Sequence, residues 1–241
     1  MAPWFVRPLH TSIDRNVDGV FIVDSFGWTS DGKTRMRTYI PWALEHVYLN
    51  TGMLCVACLC GEGYAGEGYT ELLDAAVNFT NGSLYEGRVN MFCVIISMGK
   101  DVYKLAKDKP RAFKGIGIEA IANGMQNLNL YCQESITANS LIVYGGTHET
   151  WRYNEKFSEE FCSIYDEYVD AVVRKLRLTG TEVVKGIHLG KLQTVDRIGH
   201  VHESSLEQVA RMWVLWANMA AGKATKKISE YPRVSYPRSK L

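Results

Sequence analysis

The feature that most constrains this chain is an alternation. Five short runs rich in Val, Ile and Phe or bounded by turn residues stand at 17–24, 53–59, 90–97, 140–144 and 182–189. Helical spacing of apolar residues occupies the stretches between them, at 41–49, 69–79 and 158–178, and again at 204–221 after the last run. Residues 111–130 read as helical in parts, interrupted by Gly115, Gly117 and Gly124, with a further short helix near 102–107. Strand and helix in strict alternation predict a parallel sheet covered by helices on both faces. The expected fold class is therefore α/β, a three-layer α/β/α sandwich around a central parallel sheet of about five strands, flavodoxin-like in layout.

With 241 residues the chain is long enough for one such unit, and no repeat, linker or second core is visible. The expected organisation is a single α/β domain over 1–241, with its core at about 17–221 and a basic tail at 222–241. A net charge of +1 gives no general attraction to nucleic acid or to a membrane surface. No apolar run is long enough to span a bilayer, and the opening Met-Ala-Pro-Trp-Phe-Val-Arg-Pro lacks the apolar core of a signal peptide. The first dozen residues are expected to lie across the surface rather than form an element.

Chemistry is expected where strands end. The run Val20-Phe21-Ile22-Val23 stops abruptly at Asp24-Ser25, with Gly27 close behind. Open α/β sheets bind ligands at the carboxyl ends of their strands, so Ser25 stands in the right place for a nucleophile. Late in the chain, Asp196-Arg197-Ile198-Gly199-His200 leads into the last helix, with His202 two residues on. Serine, histidine and aspartate are the raw materials of acyl transfer, because a weak hydroxyl nucleophile needs a base and the base needs an orienting group. Each residue also has a plain structural alternative. Ser25 suits a turn or a helix N-cap, and Asp196 a turn or cap.

Two other patterns carry less. Cys55-Val-Ala-Cys58-Leu-Cys60 has no second cysteine pair at zinc-ribbon spacing. On a strand, Cys58 and Cys60 share one face and Cys55 takes the other, so core thiols are expected and no metal. The glycine-rich stretch Gly61–Gly68 lacks the Gly-Lys-Ser/Thr ending of a phosphate-binding loop. No cofactor is expected. Trp213 and Trp216 on the last helix suit packing better than a ligand platform.

Four blocks in order resemble the SGNH, or GDSL-like, hydrolases. Val23-Asp24-Ser25 follows the first strand; Gly63-Tyr64-Ala65-Gly66 follows the second; Met98-Gly99-Lys100-Asp101 follows the third; and Asp196-Arg197-Ile198-Gly199-His200 precedes the last helix. The resemblance spans roughly 17–221. It implies a serine hydrolase of esterase or lipase type acting on a small acyl ester. Ser25 would be the nucleophile, His200 the base and Asp196 its orienting partner, with Gly66 and Lys100 as oxyanion donors beside the Ser25 N–H. The departures are specific. Val23 replaces a glycine, Lys100 replaces an asparagine, and Asp196 stands one residue farther from His200 than in the family pattern. His200 keeps the family's distance to the last helix, with Leu206 on the apolar position that follows, while His202 competes as the base. The same departures suit a non-catalytic SGNH-like module that binds a partner or serves in an assembly, and the tail with its two Tyr-Pro pairs suits a protein partner.

The final Ser239-Lys240-Leu241 matches the peroxisomal import address, with the cytoplasm as the alternative location.

Overall fold

The computed structural model describes residues 5–11, 16–30, 37–60, 65–82, 89–96, 114–145, 159–187 and 200–222. Within them a six-stranded sheet runs in the order β1-β5-β2-β6-β7-β8, built from β1 (Phe5–Val6), β2 (Gly19–Val23), β5 (Cys55–Leu59), β6 (Met91–Ile96), β7 (Ser140–Gly145) and β8 (Val183–Ile187). The last five strands are mutually parallel and match the five runs expected from sequence. Their register is regular, with Val20 opposite both Val56 and Phe92. Both faces of these strands are covered, which is why their sequences read as nearly continuous apolar runs.

The first dozen residues do contain an element. Phe5 and Val6 pair antiparallel with Cys58 and Ala57, closing the exposed edge of β5. The segment then ties to helix α1 (Ile40–Thr51). Leu9 N–H donates to the Pro41 carbonyl, the His10 and Thr11 N–H groups reach Glu45 Oε2 at 3.0 Å, and the Thr11 hydroxyl reaches Oε1 at 2.8 Å. Two residues are too few to show a strand period, so sequence gave no sign of it.

Helices α1 and α5 (Leu206–Ala220) cover one face. Phe21, Val23, Cys55, Ala57, Met91 and Cys93 meet them there. Helices α2 (Ala65–Thr80), α3 (Lys114–Ser135) and α4 (Glu159–Leu178) cover the other face, against Val20, Ile22, Val56, Cys58 and Phe92. Cys58 and Cys60 fall on one side and Cys55 on the other, and all six cysteines are buried. Trp213 and Trp216 are core residues, with 0% and 1% exposure. Truncating either to alanine should cost about 3–5 kcal/mol.

Two helices differ from expectation. Helix α3 is continuous through Gly117 and Gly124. Each glycine costs about 1 kcal/mol against alanine, and the burial of Ile118, Ile121, Ala122, Met125, Leu128 and Cys132 offsets it. Helix α2 begins at Ala65, so the second half of the glycine-rich stretch is helical rather than loop. Among the described residues, no helix is long and apolar enough to cross a membrane.

A second, small sheet decides where the site falls. It has the order β4-β3-β9, from β3 (Trp28–Ser30), β4 (Arg37–Thr38) and β9 (Val201–His202). In it Trp28 lies opposite Thr38 and Thr29 opposite Arg37, antiparallel.

Candidate functional site

The strand order places one strand at a point of reversal. From β2 the chain crosses to β5 through α1 on one face, then returns past β2 to β6 through α2 on the other. The carboxyl ends of β2 and β6 therefore flank the topological switch point, where open α/β sheets form their binding crevice. Ser25 lies two residues beyond the end of β2, at the start of a 3-10 turn, Ser25–Gly27.

Asp24 builds that turn. Its N–H donates to the Ile95 carbonyl at 3.1 Å, anchoring it to β6. Its Oδ1 accepts the Phe26 N–H at 2.9 Å, and its carbonyl accepts the Gly27 N–H at 3.1 Å. An aspartate bonding the backbone two residues on is a standard turn device, so the Asp before Ser25 has a structural reason of its own. Gly27 permits the chain to pass close to its neighbours: a Cβ there would meet Leu59 Cδ1 at 2.7 Å and Ile40 Cδ1 at 2.8 Å.

Aromatic rings support the turn from below. Phe26 meets Tyr39 edge-on at 6.1 Å, and Tyr39 meets Trp213 edge-on at 6.1 Å. Phe21 lies against Trp213 at 4.6 Å. Such pairs add stability beyond the area they bury. Burial pushes the Tyr39 hydroxyl well above its ordinary pKa, the Trp213 N–H pulls the other way, and the Asp24 charge adds to the rise.

The late histidines come to this place through β9. Thr29 pairs with Val201 and Ser30 with His202, in parallel. One step back along the same register, His200 falls beside Trp28, three residues from Ser25. The Thr29 hydroxyl donates to the Val201 carbonyl at 2.8 Å, and both residues are fully buried. Val201 turns inward while His200 and His202 are half-buried, so the two histidines alternate with it as an extended segment requires.

The two histidines are not equivalent. His202 Nδ1 accepts the Ser204 N–H at 3.1 Å and lies 2.9 Å from Ser204 Oγ, capping the 3-10 turn Glu203–Ser205. A neutral ring that accepts at Nδ1 carries its hydrogen on Nε2 and has no lone pair there for a second proton.

Gly66 is the second residue of α2, which follows β5 beside β2. The first four N–H groups of a helix lack intrahelical partners, so this is a position from which a backbone donor can face a substrate. Lys100 and Asp196 lie outside the described residues. The geometry thus brings the segments of Ser25 and His200 together and sets Gly66 in the first turn after the adjoining strand. Sequence reading missed the β3–β9 pairing and the Tyr39–Trp213 support; neither leaves a periodic signal.

No protein-family model matches this sequence, and no curated protein matches it. Solved structures do match in fold. The fold is that of the SGNH/GDSL-like hydrolases. A catalytic mutant of the acetylxylan esterase Axe2 from Geobacillus stearothermophilus aligns with TM-score 0.53 and 10% identity, covering 88% of this chain and 97% of that one. A candidate GDSL-like lipase from Parabacteroides merdae aligns with TM-score 0.53 and 15% identity, covering 88% and 99%. The catalytic mutants of Axe2 carry single changes of a serine, an aspartate or a histidine to alanine. In that esterase the aspartate stands three residues before the histidine; here Asp196 stands four before His200.

Proposed function

We propose that this protein is a serine hydrolase acting on short acyl esters. Ser25 Oγ attacks the carbonyl carbon and passes its proton to His200, which later returns it to the leaving alcohol. The acyl group remains on Ser25 until water, activated by the same His200, releases the acid. Asp196 orients the His200 ring. The Ser25 and Gly66 N–H groups donate to the oxyanion, with the Lys100 ammonium as a third donor in place of the family's asparagine.

The observation that carries this reading is the parallel pairing of Thr29 with Val201, which holds the His200 segment beside the turn that begins with Ser25 at the switch point. The capping role of His202 Nδ1 favours His200 as the base. The serine, aspartate and histidine changed in the Axe2 catalytic mutants support the same trio of residue types.

The test is hydrolysis of p-nitrophenyl acetate by the wild type, Ser25→Ala and His200→Ala. The wild type should turn over, and each variant should lose about 10³-fold or more while remaining folded. Unchanged turnover in Ser25→Ala overturns the assignment. A wild type inert toward short esters leaves a non-catalytic binding module as the better account.

A further inference from the structure

The pairing that brings the His200 segment to the Ser25 turn also sets a tryptophan next to it. In the small sheet Thr29 lies opposite Val201 and Ser30 opposite His202, so one step back Trp28 lies opposite His200. Residues in register on paired strands point to the same face, and neighbouring strands stand about 4.8 Å apart. Burial tells the two faces apart. Thr29 and Val201 are 0% exposed, and Val201 joins the core under α1 and α5. Trp28 and His200 are half-buried and lie on the opposite face. Across the other edge of Trp28 stands Thr38. Its hydroxyl is taken up by backbone, donating to the Gly27 carbonyl at 3.0 Å and accepting the Ile40 N–H at 3.2 Å. A half-buried indole thus stands beside the candidate base, three residues after the candidate nucleophile.

We propose that Trp28 is a specificity-determining residue: the alcohol part of the ester stacks against its indole, and the preferred alcohols carry an aromatic ring. This deepens the hydrolase reading above and rests on it. The order of the reaction says which half of the ester meets Trp28. The acyl group stays on Ser25 while the carbonyl carbon's bond to the alcohol oxygen breaks and His200 gives its proton to that oxygen. The alcohol oxygen therefore stands beside His200, and the group it carries extends over the neighbouring residue of the same face. An indole offers a flat apolar surface, and contact between two rings is favourable beyond the area it buries.

Benzyl acetate and butyl acetate test it, since they share an acyl group and only one has a flat ring. The wild type should favour benzyl acetate in kcat/KM by about three- to tenfold, the scale of one aromatic pair. Trp28→Leu keeps an apolar side chain and should bring that ratio toward one, through a higher KM for benzyl acetate. Trp28→Phe should retain the preference. Exchanging acetyl for butyryl should change wild type and Trp28→Leu by the same factor, because the acyl group lies away from Trp28. A second readout is independent of turnover. With fluorotryptophan incorporated, the Trp28 ¹⁹F resonance, identified by its absence in Trp28→Phe, should shift more with benzyl alcohol than with butanol. It should also move in His200→Ala. If Trp28→Leu fails to fold, the wild-type titration decides. A wild type that turns over both esters alike, or a ring preference unchanged in Trp28→Leu, overturns the proposal even in an active esterase. So does a Trp28 resonance that benzyl alcohol and His200→Ala leave in place. An inert wild type whose Trp28 resonance moves with benzyl alcohol overturns the hydrolase reading and leaves Trp28 as a ring-binding residue.

Discussion

The Thr29 hydroxyl donates to the Val201 carbonyl at 2.8 Å, joining residues 172 apart in sequence. This buried bond fastens β9 to β3 and thereby sets the His200 segment beside the Ser25 turn. Thr29→Val keeps the shape and removes the donor, leaving a buried carbonyl without its partner. The expected cost is about 1–3 kcal/mol, read as a lower urea midpoint with an unchanged m-value. Esterase activity should fall as well, because the segment carrying His200 loses a tether.

Gly27 allows the close approach of the Ser25 turn to α1 and β5. Gly27→Ala puts a methyl at 2.7 Å from Leu59 Cδ1 and 2.8 Å from Ile40 Cδ1. Overpacking of this kind should destabilise by about 1–3 kcal/mol in chemical denaturation. A variant as stable as the wild type would mean that Leu59 and Ile40 yield without loss.

His46 ties stability to pH. It is buried against Trp42, with ring centroids 4.3 Å apart. Burial lowers its pKa to about 4, against the opposing pull of Glu207 and Glu45 and with the repulsion of Arg211. An unfolded histidine titrates near about 6.5, so between these values the unfolded chain binds more protons. The stability that neutral His46 contributes is present in full above about 6.5, declines as pH falls and is lost through about 4. His46→Phe, which keeps a ring against Trp42, should flatten the stability profile across that window. An equal slope in wild type and variant would assign the dependence to other groups.

How much of this was legible depends on how each feature writes itself into sequence. The five parallel strands show because both of their faces are buried, so 20–23 and 91–96 are apolar without a break. Strand ends then point to Ser25 by position alone. The pieces that assemble the site have no such signature. Strands β3 and β9 are three and two residues long, and they pair across most of the chain with the Thr29 hydroxyl as an added tie. The Tyr39–Trp213 pair is equally invisible, because an aromatic residue at a helix N-cap and another inside a helix both read as generic core. Histidine spacing on an extended segment does not by itself distinguish His200 from His202; the family's distance to the last helix favours His200, and the structure adds that His202 caps its own turn at Ser204.

The most direct test of the account is labelling of the intact protein with a fluorophosphonate, followed by mapping of the adduct by peptide mass spectrometry. Phosphonylation of a serine needs an activated hydroxyl and a base in reach, and needs no knowledge of the natural substrate. The account predicts one adduct, on Ser25, abolished in His200→Ala and retained in His202→Ala. An adduct on another serine, or none on Ser25 in the folded wild type, would contradict it.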